Sequence, residues 1–146
     1  MSSVFTKIID GELPGLFVWS DDRAVGFLSI NPLGPGHTLV VPRQEVDQWV
    51  DADPDLLAHL TAVSHAIGAA VREVWQPPRV GVIVAGFEVP HLHVHVFPAW
   101  EMAAFDFANA AKSVEAAEQE AQAEKLRTAL REAGHGEHVP DRAKLA

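Results

Sequence analysis

A chain of 146 residues, 48% hydrophobic and 21% charged, is long enough for one real core and has the balance of a soluble globular protein. Its net charge of −9 is spread over both parts, with 5 basic against 11 acidic residues in 1–100 and 6 against 9 in 101–146. That balance argues against polymeric DNA or RNA as a partner. No apolar run approaches the roughly 20 residues of a membrane span, and MSSVFTKIIDGE lacks the pattern of a signal peptide. With no cysteine there are no disulfides or thiolate ligands, which suits a cytoplasmic protein.

The first predicted element is a short helix over Val4 to Ile9, with Ser3 as N-cap and Gly11 as its stop. Leu16–Ser20 and Ala24–Ser29 read as strands joined by the polar turn Asp21-Asp22-Arg23. A loop rich in Pro and Gly, Asn31 to Gly36, leads into a third strand, His37–Pro42. Asp53-Pro54 opens the clearest helix. There Leu56, Leu57, Leu60, Val63, Ile67, Val71 and Val74 form a stripe to lay on a sheet, while His59 and His65 read as surface or boundary residues. Pro77-Pro78 ends this region, and Val80–Ala85 is an almost wholly apolar fourth strand.

The fifth strand is His91-Leu92-His93-Val94-His95-Val96-Phe97, bracketed by Pro90 and Pro98. Strict alternation puts the three histidines on one face, roughly 6–7 Å apart, and Leu92, Val94 and Val96 toward the core. Each imidazole carries a donor and an acceptor that need partners, so a row of three is poor packing material. Three readings are open at this point: a solvated His-rich face, a metal site, and nucleophilic catalysis by one imidazole assisted by its neighbours.

Beyond Trp100, Phe105 to Ala133 is Ala- and Glu-rich, with spacings that support a solvated helix packing through Phe105, Phe107, Leu126 and Leu130. Gly134-His135-Gly136 stops it, and a loose tail follows. The order of elements predicts an α+β domain with a mainly antiparallel five-stranded sheet, one long amphipathic helix and a C-terminal helical extension. Residues 1–100 form the predicted functional domain, and 101–146 the extension and tail packed on it.

The run His91-Leu-His93-Val-His95-Val-Phe97 resembles the signature of the histidine triad (HIT) superfamily at every position. The upstream segment FTKIIDGELPGLFVWSDDRAVGFLSINPLGPGHTLVVP is similar to the histidine triad nucleotide-binding, or Hint, branch, so the likeness covers roughly residues 3–98. It implies a nucleotidyl hydrolase that uses no metal or other cofactor. His93 would attack the α-phosphorus of a nucleoside 5′-phosphoramidate, mixed anhydride or polyphosphate, and water would release the monophosphate. By the same likeness His95 would contact the phosphate and deliver a proton to the leaving group, with His91 and His37 completing a four-histidine cluster. Transferases of the superfamily carry Gln at the position of His95. Val4, Phe5, Ile8, Phe27 and Ile30 fall on the positions of the base pocket. The implied partners are a purine nucleotide derivative and a second copy of the chain in a homodimer.

Three departures stand out. Ser29 occupies the place of an Asp that grips the ribose hydroxyls, so weaker ribose binding or a different sugar preference is expected. The stretch Val82 to Glu88 is shortened, and Glu88 replaces a small polar residue at the phosphate; inward, its carboxylate would repel the phosphate unless the leaving group is cationic. Ser3, Thr6 and Glu45 replace Cys, Cys and His at the structural zinc site of many bacterial relatives, so no zinc is expected. The alternatives to a phosphoramidase-like hydrolase are a nucleotide-binding module with little turnover, a dinucleoside polyphosphate hydrolase, and a metal-dependent enzyme.

Overall fold

Hydrogen bonding along the sheet runs in the order β1-β2-β3-β5-β4, with every neighbouring pair antiparallel. In this computed structural model, which describes residues 2–141, the strands are β1 (Phe17–Ser20), β2 (Ala24–Leu28), β3 (Thr38–Pro42), β4 (Arg79–Ile83) and β5 (Val94–Ala99). The helices are α1 (Val4–Ile9), α2 (Pro54–Trp75) and α3 (Ala116–Leu130). The expected α+β architecture is therefore present.

Local chemistry accounts for the boundaries. Ser3 caps α1 by accepting from the Thr6 amide, and Gly11 takes a positive φ of 84° just beyond it. Asp21 closes the β1–β2 turn by accepting from the amides of Arg23 and Ala24. Asp53 caps α2 with Pro54 in its first turn, and Gln76 ends that helix in the left-handed region. One face of the sheet carries α2 and α3, and there Leu60, Ile67, Val96, Leu126 and Leu130 are fully buried together. Phe5, Phe17, Val25, Phe27, Leu39 and Val41 make a second, smaller core on the other face, under α1.

Four expectations need correction. The histidine strand begins only at Val94, because His91 and Leu92 are held by other partners, the Pro42 carbonyl and the Val46 carbonyl. Pro98 lies inside β5 rather than bracketing it; by then β3 has ended, and the ring needs no ladder donor on that side. The fourth strand is Arg79–Ile83 rather than Val80–Ala85, and it is an edge strand with Val82 56% exposed. Residues 105–133 are not one helix: two short 3₁₀ turns, Met102–Phe105 and Phe107–Asn109, precede α3. The end of the chain is also less loose than expected, since Val139 joins the main core and His138 stacks on Trp19 at 4.9 Å; residues 142–146 lie outside the described residues.

Gly36 delivers the chain to His37 with φ 73°, and a Cβ there would meet the Trp75 ring at 2.2 Å. Both the backbone conformation and the neighbour reject a side chain. Gly36→Ala is expected to cost about 2–4 kcal/mol of stability, read from urea unfolding.

Candidate active site

An apolar cavity of about 880 Å³ opens beside the sheet, and His37, His93 and His95 form one part of its wall. That size suits a nucleotide-scale ligand. Val4, Phe5 and Ile8 enter from α1, Phe27 from β2, Ser29 and Ile30 from the loop after it, and Glu88 from the loop before β5. All the pocket positions singled out from sequence thus share one wall. His91 does not: it is fully buried behind His93, and the three imidazoles are not a row on one open face.

The partners of each ring decide where its protons sit. His93 Nδ1 lies 2.7 Å from the carbonyl oxygen of His91, and a carbonyl can only accept, so Nδ1 carries the proton. The lone pair of neutral His93 is then on Nε2. His37 Nδ1 accepts from the Leu33 amide at 2.9 Å, so neutral His37 carries its proton on Nε2. That proton is donated to His95 Nδ1, 2.9 Å away, which leaves the N–H of neutral His95 on Nε2. The rings of His93 and His95 are 4.8 Å apart, centre to centre. A free nucleophilic nitrogen and a free N–H donor therefore stand side by side.

Burial keeps these rings uncharged. His37 is pushed down to about 3, first by desolvation and then by His95 and His93. Desolvation, with His93 adding to it, takes His95 to about 4. His93 is also lowered by burial; its bond to the His91 carbonyl and the field of Glu88 act in the opposite direction. Phe5 packs edge-on against His93 at 4.8 Å, and Phe107 covers His95 at the same distance, which supplies the low-dielectric surround.

Behind the site, His91 Nε2 donates to the Pro42 carbonyl at 2.7 Å, and Nδ1 of the neutral ring accepts from the Ser3 hydroxyl at 2.6 Å. Glu45 accepts from the Ser3 amide and the Thr6 hydroxyl, both at 2.6 Å, and the Thr6 bond comes first among those holding its carboxyl below the usual range. This cluster ties α1 to the segment that carries His93.

The sequence reading gave the extension no part in the cavity, yet Phe107, there read only as a packing residue, and Lys112, Gln119 and Glu120 are among its lining, and the extension is stitched to the loop after β2. Asn31 Nδ2 donates to the carbonyls of Ala111 and Lys112, Gln122 accepts from the Gly36 amide, and Gln119 Nε2 donates to the Ser29 carbonyl. Helical periodicity marked the apolar contacts of this segment, but no local pattern in the sequence signals such long-range polar ones. His59, read as a boundary residue, binds Asp21 at 2.7 Å on the far side of β1, and His65 is exposed. Burial works to raise Asp21, but the bonds from Trp19, Arg23, Ala24 and His59 outweigh it and hold the carboxyl below its ordinary range.

Fold and cavity together define a small α+β protein whose apolar pocket ends on three neutral imidazoles. The chain belongs to the histidine triad family: the HIT domain model matches residues 10–102. An uncharacterized HIT-like protein of Saccharolobus solfataricus is 33% identical over 102 residues, covering 66% of this chain and 73% of its own. Among solved structures, a hypothetical histidine triad nucleotide-binding protein from Sulfolobus tokodaii superposes with a TM-score of 0.78 at 29% identity, over 88% of this chain and 91% of that one. A zinc-bound histidine triad protein from Mycobacterium smegmatis gives 0.77 at 27% identity, over 93% and 98%. In the present chain the Ser3, Thr6, Glu45 and His91 cluster offers two neutral hydroxyls, one carboxylate and one imidazole, already bonded to one another. Structural zinc sites are built from thiolates, imidazoles and carboxylates, so this donor set does not fit one. Among the described residues no three His, Cys, Asp or Glu side chains are so placed that they could hold a metal ion.

Two outcomes are expected. Buried histidines whose values lie below 6.5 make stability fall as pH drops from 6.5 toward 4, because only the unfolded chain takes up their protons there. Each such group costs up to ~1.4 kcal/mol per pH unit in that window. Urea unfolding at pH 7, 5.5 and 4.5 should therefore show a shallower decline in His37→Gln than in the wild type. Ser3→Ala removes both the α1 cap and the partner of His91, and is expected to cost about 1–3 kcal/mol in the same assay.

Proposed function

We propose that the protein hydrolyses nucleoside 5′-phosphoramidates or related α-phosphoryl compounds through a nucleotidyl-His93 intermediate. The observation that carries this reading is the pairing of an unprotonated His93 Nε2 with the free Nε2–H of His95 at the end of an apolar cavity. A nucleotide brings negative charge to three uncharged rings, and that charge favours uptake of one proton by the His37–His95 pair. His93 Nε2 forms the bond to phosphorus while the P–N bond breaks, and protonated His95 passes its proton to the departing amine. Water then attacks the phosphoryl-imidazole and gives its proton to His95, releasing the monophosphate and restoring His93. Phe5, Phe27, Val4, Ile8 and Ile30 supply the apolar wall for the base.

Glu88 is exposed at the cavity rim, where its field favours protonation of His93. A carboxylate at that rim pairs with a cationic leaving group and repels an anionic one, which favours amine over polyphosphate leaving groups. We take residues 1–100 as the catalytic domain and the extension from 101 as part of its pocket wall. We also propose a homodimer, supported by the unpaired edge of β4 with Val82 56% and the following Phe87 98% exposed. A cysteine-free composition suits a cytoplasmic setting.

Incubation with adenosine 5′-phosphoramidate in chelator is expected to release AMP, and His93→Ala to lose about 10³-fold or more in kcat while still binding AMP. Binding without turnover by the wild type would leave a nucleotide-binding module, and rescue only by added metal would overturn the mechanism. The acid limb of kcat/KM should lie below the ordinary imidazole value of 6.5, because burial lowers His93. The solution mass should be twice the 15.8 kDa of one chain, and a charge introduced by Val82→Glu should halve it.

A further inference from the structure

Phe107 sits in the short 3₁₀ turn Phe107–Asn109, beyond the 10–102 span that the family model matches. Its ring lies 4.8 Å from that of His95, tilted by 57°, on the imidazole whose Nε2–H is free. Contact with His95 uses only part of the phenyl ring, which lines the cavity and stays 41% exposed. The turn that carries it is well bonded. Asp106 accepts from the Ala108 amide, Asn109 Nδ2 donates to the Ala103 carbonyl, and the Ala111 amide donates to the Pro32 carbonyl, all at 2.9 Å. Ala108, Ala110 and Ala111 line the cavity next to Phe107 and extend no further than a methyl group, which leaves room against the ring. An open apolar surface therefore stands beside the proton donor of the site, on a turn that is already in place.

His95 passes its proton to a nitrogen about 3 Å from Nε2 as the P–N bond breaks. Phe107 touches the same imidazole, so a substituent of about four or more carbon atoms on that nitrogen reaches the phenyl ring, whereas a hydrogen or a methyl group does not. From this juxtaposition, and resting on the nucleotide reading above, we infer that Phe107 and the alanines beside it form a leaving-group subsite that selects phosphoramidates of amines with an apolar body. Apolar surface withdrawn from water against the ring stabilises bound substrate and transition state alike, so the preference appears in kcat/KM. A polyphosphate leaving group gains nothing from such a wall. The choice of amine then lies in the extension, outside the matched domain.

The test is AMP release from the N-methyl and N-cyclohexylmethyl phosphoramidates of adenosine 5′-monophosphate, whose amines are of similar basicity. The wild type is expected to favour the cyclohexylmethyl compound about three- to tenfold in kcat/KM, the effect of burying part of one aliphatic ring. Phe107→Ala and Phe107→Gln should bring that ratio toward one, while Phe107→Leu, which keeps an apolar wall, should retain most of it. Both substrates sample the same folded fraction of each variant, so partial unfolding cancels from the ratio, whereas a role confined to shielding His95 would change both rates together. A wild-type ratio of one, or a full ratio retained by Phe107→Ala and Phe107→Gln, would overturn this assignment and leave the nucleotide reading standing, since both compounds still yield AMP. If the wild type releases AMP from neither, the hydrolase reading itself fails and this inference with it.

Discussion

Backbone groups have a fixed sense, and the histidine end of the cavity is organised by three of them. The carbonyls of His91 and Pro42 can only accept, and the amide of Leu33 can only donate. Imidazole is the one side chain whose neutral form holds either of two proton arrangements, so its partners must choose between them. Here the choice is made by main chain, which cannot rotate or titrate away. The turn at Asn31 to Gly36, the end of β3 and the approach to β5 therefore do more than connect elements. They carry the groups that orient each ring, and the sheet register holds them in place, with Leu39 opposite His95.

Neutrality has a second consequence. Rings stripped of water and enclosed by Phe5, Phe97 and Phe107 resist charging, and they resist it together because each would repel the next. An incoming anion relieves that resistance. The same burial that lowers the basicity of the free site thus makes its proton affinity responsive to what enters it. On the opposite side of His91, hydroxyls and a carboxylate close a network that needs no ion to hold α1 against the sheet.

How far the sequence was legible differs by type of interaction. Alternation in His91 to Phe97 and the three-and-four spacing of Leu56 to Val71 are local patterns, and they revealed the strand and the long helix, whereas the residues on the cavity wall were implied by the family resemblance. Competition from distant partners was not legible. The Pro42 carbonyl and Ser3 draw His91 out of the strand and away from its two companions. The apolar run at Val80 to Ala85 does not tell where in the sheet its strand lies, and only the sheet order shows that it is an edge. In the extension, Ala and Glu composition suggested a plain solvated helix, whereas Gln119 and Gln122 reach residues more than eighty positions earlier. Polar side chains acting over such separations leave no period in the chain.

The cavity is closed by the two ends of the described chain, α1 with Phe5 on one side and α3 with Gln119 on the other. A ribosome releases these ends far apart in time. The sheet and its imidazoles are complete with β5, but the apolar cavity under Phe5 and Phe27 is open on the side that Phe107 and Gln119 cover until the extension has followed. Pairings of such long sequence separation are costly to close and form late. An exposed apolar cleft of this kind is the sort of surface on which chaperones act. Packing of the 107–120 stretch is what completes the wall of that cleft.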